Sequence, residues 1–308
     1  MARTDAHAAS AEWLRQGERG AVWAIELAAW IATSLGRPVA RVLARAIAAY
    51  YVVFDGRARR ASRDWLARVH GRPPSLGEIH HHVSCFAQAT MDRFYFARRA
   101  FDVFEIERTG HHHLEALARA GRGAILLGAH LGSFDAMGAA SQDERLPVTI
   151  VGHFENARMI NAVLERLDPG LAGRVLHAGR DPIALALTLR DRLASGGMVA
   201  LLADRVGLND KSVSVEFFGA PARFATGPFL LAAILKCPIY LVFGLYREPN
   251  RYELFCEPFS ERLVLPRGAR EEVLGREVAR YARRLEDYCR KAPDNWFNFF
   301  DFWEMGAS

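Results

Sequence analysis

Lysine is nearly missing from this chain. Of its 40 cationic residues only Lys211, Lys236 and Lys291 are lysines; the rest are arginine. A GC-rich genome would give the same bias. Arginine also binds phosphate and carboxylate through a two-pronged fork, so the net charge of +5 fits phosphate-bearing partners: anionic lipid, an acyl carrier or nucleic acid. Cysteine is scarce as well. Cys85, Cys237, Cys256 and Cys289 form no CxxC pair, which argues against a disulfide framework or a zinc site and fits a cytosolic environment. The stretch 21–35 is too short to span a bilayer and contains Glu26. The first residues, Met1 to His7, lack a basic region followed by an apolar one, so no secretory signal is expected. Neither internal repeats nor low-complexity segments are present.

Several catalytic signatures are missing too. No GxSxG elbow occurs, because Ser133 follows Gly132 without the required spacing. A phosphate-binding P-loop and HExxH are absent, and Gly121 and Gly123 lack the third glycine of a dinucleotide turn. His80–His82 and His111–His113 look like metal tracts. Consecutive helical residues point in different directions, however, so neither run is expected to hold an ion, and no metal or cofactor is expected.

What is present begins at Gly123-Ala-Ile-Leu-Leu-Gly128, a short apolar run ending in glycine. It predicts a buried strand that delivers His130 and Asp135 into a turn before a helix opening at Phe134. A strand-end histidine beside a carboxylate from the next helical turn makes a general base with its orienting partner. With no serine or cysteine nucleophile, such a base activates a hydroxyl, amine or water of the substrate. In acyl transfer His130 takes the acceptor's proton, Asp135 holds the imidazole tautomer, and backbone N–H groups near Leu131–Ser133 stabilise the oxyanion. The plain alternative is a capping aspartate and a structural histidine.

Around this segment the pattern is α/β. Residues 11–54 read as helices interrupted at Leu35-Gly36-Arg37-Pro38, with Trp23, Trp30, Arg41 and Arg45 on them. Tryptophans, arginines and a wide apolar face suit helices lying in a membrane interface; packing on the core fits the same pattern. Arg57, Arg59, Arg60, Arg63 and Arg68 follow, facing lipid headgroups, an acidic carrier protein or simply water. A helix from Leu76, N-capped by Ser75, runs to about Ala100. Strands are then expected at 103–107, 124–127, 148–151, 198–203 and 238–246, the last paired in a hairpin with 251–256. Helices are expected at 114–120, 134–140, 157–167, 182–194, 227–235 and 270–289. This alternation predicts an α/β fold: a mixed, largely parallel central sheet flanked by helices, with an N-terminal helical membrane-associating segment. One domain over 1–308 is expected, divided into interfacial helices at 1–60 and a catalytic core at 61–308. Its sites belong at the carboxyl ends of strands, where His130 and Asp204 both fall.

Gly128-Ala-His130-Leu-Gly-Ser-Phe-Asp135 resembles the HX4(D/E) motif of the lysophospholipid acyltransferase superfamily. Three later blocks resemble its bacterial lipid A late acyltransferase branch or related proteins. These are Leu201-Leu-Ala-Asp204-Arg205, the stretch from Val215 through Phe217-Phe218-Gly219 to Thr226-Gly227, and the aromatic ending Trp296-Phe-Asn-Phe-Phe-Asp-Phe-Trp303. Gly17-Glu-Arg-Gly20 in the first helix also fits. The resemblance implies His130 as base with Asp135 as its partner. It implies substrate contacts from Gly132, Ser133, Asp204, Arg205, Phe218, Gly219, Arg223 and Thr226. It further implies an acyl thioester donor on acyl carrier protein or coenzyme A, a lipid acceptor, a membrane surface, and the cytoplasmic face of a bacterial inner membrane. One block departs from the branch. Where Tyr-Arg-Pro is typical, this chain reads Gly152-His153-Phe154-Glu155-Asn156, which weakens lipid A itself as acceptor and leaves Arg158 or Arg166 as substitutes for the missing arginine. A thioester hydrolase using the same dyad and a silent lipid-binding protein are the competing readings. Nucleic-acid binding has only net charge behind it and no module.

Overall fold

The computed structural model describes residues 22–152, 158–170, 172–177, 182–207 and 211–303. Among the described residues four helices come first: α1 (Val22–Leu35), α2 (Arg37–Phe54), α3 (Gly56–His70) and α4 (Leu76–Ala97). Gly36 adopts φ +84°, a left-handed conformation that breaks the first two apart, and Pro38 restarts the second in its first turn. Ser75 caps α4 in a reciprocal box with Glu78: the serine Oγ accepts from the Glu78 N–H, and the glutamate accepts from the Ser75 N–H.

The remainder alternates strands and helices. It runs β1 (Glu105–Thr109), α5 (His112–Arg119), β2 (Ala124–Gly128), α6 (Phe134–Asp143), β3 (Val148–Gly152), α7 (Arg158–Leu167), β4 (Val175–His177), α8 (Pro182–Ala194) and β5 (Met198–Leu202). Then follow β6 (Ser212–Phe217), β7 (Ala220–Ala225), α9 (Gly227–Leu235), β8 (Ile239–Arg247), β9 (Arg251–Ser260) and α10 (Arg270–Lys291). Seven strands form one sheet in the order β1-β9-β8-β2-β5-β3-β4. Every neighbouring pair is parallel except the β8–β9 hairpin. The expected mixed, mostly parallel sheet is therefore present, and the expected hairpin lies inside it, with β1 at the edge beyond β9. β2 is central and all five of its residues are buried, because helices cover both faces of a parallel sheet. Two elements had no counterpart in the sequence pattern: the three-residue β4 and the β6–β7 hairpin, which stands outside the main sheet. β1 starts at Glu105 because Phe101–Val103 closes a 3₁₀ turn.

The N-terminal helices are amphipathic in an inverted sense. Alanines at 29, 32, 40, 44 and 48 face the protein, whereas Trp23, Leu27, Trp30, Val42, Tyr50, Val53 and Phe54 face outward. Trp23 is 67% and Phe54 72% exposed. Among the described residues no helix is long and apolar enough to cross a membrane. The start of α2 is fixed by a buried ion pair. Arg37 donates from Nε and Nη2 to the two Asp92 oxygens, each at 2.8 Å, and from Nη1 to the Pro249 carbonyl. Tyr252 donates its hydroxyl to the same carboxylate at 2.7 Å.

Candidate active site

His130 and Asp204 meet because two neighbouring strands stop at the same level. β2 and β5 pair in parallel with Gly128 opposite Leu202, and each strand then runs two residues further, to His130 and to Asp204. The Ala203 N–H continues the ladder to the Gly128 carbonyl at 3.1 Å, and the Tyr281 hydroxyl on α10 donates to that carbonyl at 2.8 Å. His130 Nδ1 lies 2.8 Å from Asp204 Oδ1. A carboxylate only accepts, so Nδ1 carries the proton and Nε2 is left as the basic nitrogen. The imidazole keeps 23% of its surface exposed, while Asp204 is fully buried.

Asp204 is surrounded by donors. Besides the ring, its Oδ2 accepts from the His130 backbone N–H at 3.0 Å, from Trp296 Nε1 at 3.1 Å and from Asn298 Nδ2 at 3.1 Å. Burial alone would push its carboxyl upward, but the His130 ring, the charge of Arg205 and the His130 N–H hold it well below the usual carboxylate range. Burial draws His130 below the ordinary imidazole value, Arg205 adds to that shift, and Asp204 opposes it. The result at neutral pH is a neutral imidazole backed by a fixed negative charge, the protonation pattern of a general base. Burial lowers Arg205 to about 10, with Asp204 pulling the other way, so it stays cationic.

This corrects the expected dyad. Asp135 is not the residue on His130 Nδ1: it sits in the first turn of α6 and forms an ion pair with Arg93 of α4, Nε to Oδ2 at 3.0 Å. Asp204, expected as a substrate contact, is instead the buried carboxylate on His130 Nδ1. Two of the expected oxyanion donors are also committed elsewhere. The Gly132 N–H donates to the Asn295 carbonyl and the Ser133 N–H to the Gly244 carbonyl, both at 2.7 Å. Ser133 is the N-cap of α6, its Oγ accepting from the Ala136 N–H at 3.0 Å. Gly132 has φ +69°, and a Cβ there would come within 1.9 Å of the Gly244 oxygen, so the turn tolerates only glycine.

The remaining expected contacts fall into place differently. Arg205 is beside the dyad, donating from Nε to Asn298 Oδ1 at 2.6 Å and from Nη2 to the Phe297 carbonyl at 2.8 Å. Phe218 and Gly219 form the β6–β7 turn, where the Phe218 N–H donates to Glu286 of α10 at 2.6 Å. Arg223 donates across that hairpin to Ser212 Oγ, and Thr226 to the Lys211 carbonyl. Arg166 is tied to the N-terminal layer by an ion pair with Glu26 at 2.8 Å. The side chain of Arg158 and residues 153–157, which contain the departure from the branch pattern, lie outside the described residues, as does Gly17–Gly20. The histidines of the first tract diverge. His80 Nε2 lies 3.1 Å from the Arg45 carbonyl, His81 is 3.6 Å from Asp294, and His82 is buried. His82 spans Ser62 Oγ and the Trp296 carbonyl, which requires its Nε2 to donate and its Nδ1 to accept.

Sequence reasoning missed Trp296 and Asn298 as parts of the site. Trp296 reads as a core aromatic, and it does pack against Trp65, Phe217 and Phe302. Its indole N–H is the polar handle that a buried tryptophan needs to satisfy.

The model of the family described as bacterial lipid A biosynthesis acyltransferase matches residues 10–304. The chain belongs to that family. It is an acyltransferase, acting with an acyl donor and a lipid acceptor, and the His130–Asp204 pair lies within the matched span. No curated individual protein matches it.

Proposed function

We propose that this acyltransferase moves a fatty acyl group from an acyl thioester, with acyl carrier protein as the expected donor and acyl-CoA the alternative, onto a hydroxyl or amine of a lipid at the cytoplasmic face of the bacterial inner membrane. The observation that carries this reading is the buried carboxylate behind a partly accessible neutral imidazole. His130 Nε2 takes the proton of the acceptor as its oxygen or nitrogen attacks the thioester carbonyl. Asp204 stabilises the imidazolium that results. When the tetrahedral intermediate collapses, the C–S bond breaks and the leaving thiolate receives the proton from Nε2, which restores the neutral ring. Arg205 supplies positive charge beside these steps. Replacing His130 by alanine costs about 10²–10⁴-fold in turnover if it is the base. Unchanged turnover would remove it from the mechanism. Product analysis with and without a lipid acceptor separates transfer from thioester hydrolysis.

The inverted helices α1 and α2 support attachment to the membrane interface. Burying each outward tryptophan or phenylalanine in the headgroup–acyl boundary contributes about 1.5–3 kcal/mol, and the exposed Arg57, Arg60 and Arg63 on α3 favour an anionic surface. A Trp23→Ser/Trp30→Ser/Phe54→Ser variant is expected to keep its fold and lose binding to phosphatidylglycerol-containing vesicles. Retained binding would assign that face another partner.

A further inference from the structure

Resting on the reading of His130 as base, we infer that Asn298 is a positioning residue that holds Asp204 and Arg205 apart so that the carboxylate serves the histidine alone. The carboxamide stands between two groups of opposite charge. Its Nδ2 donates to Asp204 Oδ2 at 3.1 Å, and its Oδ1 accepts from Arg205 Nε at 2.6 Å. Arginine only donates and a carboxylate only accepts, so the amide fits this gap in one orientation. Asp204 and Arg205 are adjacent in sequence and both leave β5 at the same end, and a direct ion pair between them is the obvious competing arrangement. Asn298 replaces that pair by a relay through its dipole. Trp296 completes the arrangement from the same segment, its Nε1 donating to Oδ2 at 3.1 Å. Oδ2 is then saturated and Oδ1 is directed at His130 Nδ1. The segment is itself stitched to the histidine turn: the Phe297 N–H donates to the His130 carbonyl at 2.8 Å and the Asn295 carbonyl accepts from Gly132 at 2.7 Å. Both residues are buried.

The consequence is readable in the ionisation of His130. Among the described residues the charged groups bearing on it are Asp204 and Arg205; on α10, Tyr281 and Cys289 feel the same carboxylate and remain un-ionised. In Asn298→Ala the guanidinium closes on Asp204 and weakens its hold on the ring. His130 then titrates at lower pH than in the wild type, by half a unit or more, and kcat falls about 10–100-fold with KM for the thioester within twofold. In Asn298→Ala/Arg205→Gln the competing cation is gone, and His130 titrates at or above the wild-type value. Trp296→Phe keeps the ring packing, removes one donor, and lowers kcat several-fold. The test is the ¹³C and ¹⁵N NMR titration of His130 in the folded variants, with kcat and KM alongside. A purely structural Asn298 moves the single and double variants the same way, and that result overturns the inference, as does an unshifted titration in Asn298→Ala. The titration needs no acyl transfer, so its outcome stands apart from the failure or success of the proposed reaction.

Discussion

The two carboxylates near His130 are distinguished by an Asn substitution at each. In Asp204→Asn the new carboxamide has one oxygen and one NH₂ where the wild type has two acceptors for four donors. If the NH₂ takes the place of Oδ2 it opposes three N–H groups, each unsatisfied donor costing about 1–3 kcal/mol. Placing it at Oδ1 opposes one donor, the ring Nδ1–H, and the ring relieves that clash by changing tautomer. The second arrangement therefore wins, and the proton moves to Nε2, the nitrogen that is the base in the proposed reaction. In a Ser-His-Asp triad the same change costs about 10⁴ in kcat, and a loss of about 10³–10⁴ with little change in KM is expected here. Asp135→Asn removes only a part-buried pair with Arg93, worth about 1 kcal/mol, and should cost less than about tenfold. The assay is thiol release from acyl thioesters with lipid product followed by mass spectrometry. Imidazole ¹⁵N shifts report the tautomer independently. An Asp135→Asn variant as impaired as Asp204→Asn, or an Asp204→Asn ring still protonated at Nδ1, would refute the assignment of Asp204.

Three further outcomes follow from burial and packing. Burial lowers His82 to about 4 while the unfolded chain titrates near 6.5, so the unfolded state binds more protons in between. Stability is full above about pH 6.5 and falls on acidification toward pH 4, by on the order of 3 kcal/mol, and urea midpoints of wild type and His82→Gln across that range should converge at low pH. Asp92→Ala leaves the Arg37 guanidinium buried without its counter-charge and should lower stability by about 3–5 kcal/mol in thermal or denaturant unfolding, whereas loss of the exposed Arg190–Asp191 pair should be nearly silent. Gly132→Ala must move the backbone at Gly244 or the His130 turn, so it should abolish turnover even where circular dichroism finds the sheet intact.

The strand that ends at Gly128 was legible because five consecutive apolar or small residues closed by glycine have few other readings. The helix start at Leu76 was legible for a similar reason, Ser75 reading as its cap, whereas the cap at Ser133 emerged only in the structure. The partner of His130 was not. The HX4D spacing favours the nearer carboxylate, but the first turn of α6 carries Asp135 toward Arg93. Asp204 lies 74 residues away, and its approach depends on which strands are neighbours, a property of topology that local pattern does not encode. The β6–β7 hairpin was hidden because its turn uses Phe218 and Gly219, both at positive φ, where asparagine-glycine is the usual signal. That large apolar side chains of α1 and α2 point outward became visible only once the alanines were found inside.

His130 and Asp204 occupy equivalent rungs beyond one parallel ladder, so the sheet acts as the ruler for the contact between them. No loop closure is needed to assemble it, and no loop motion alone takes it apart. A slip of one residue between β2 and β5 would displace the carboxylate by about 3.3 Å along the strand and turn it to the opposite face, leaving a protein of nearly native secondary structure with the His130–Asp204 pair broken. Recovery of turnover during refolding therefore times the moment at which these two central strands find their alignment, an event that helix content does not report.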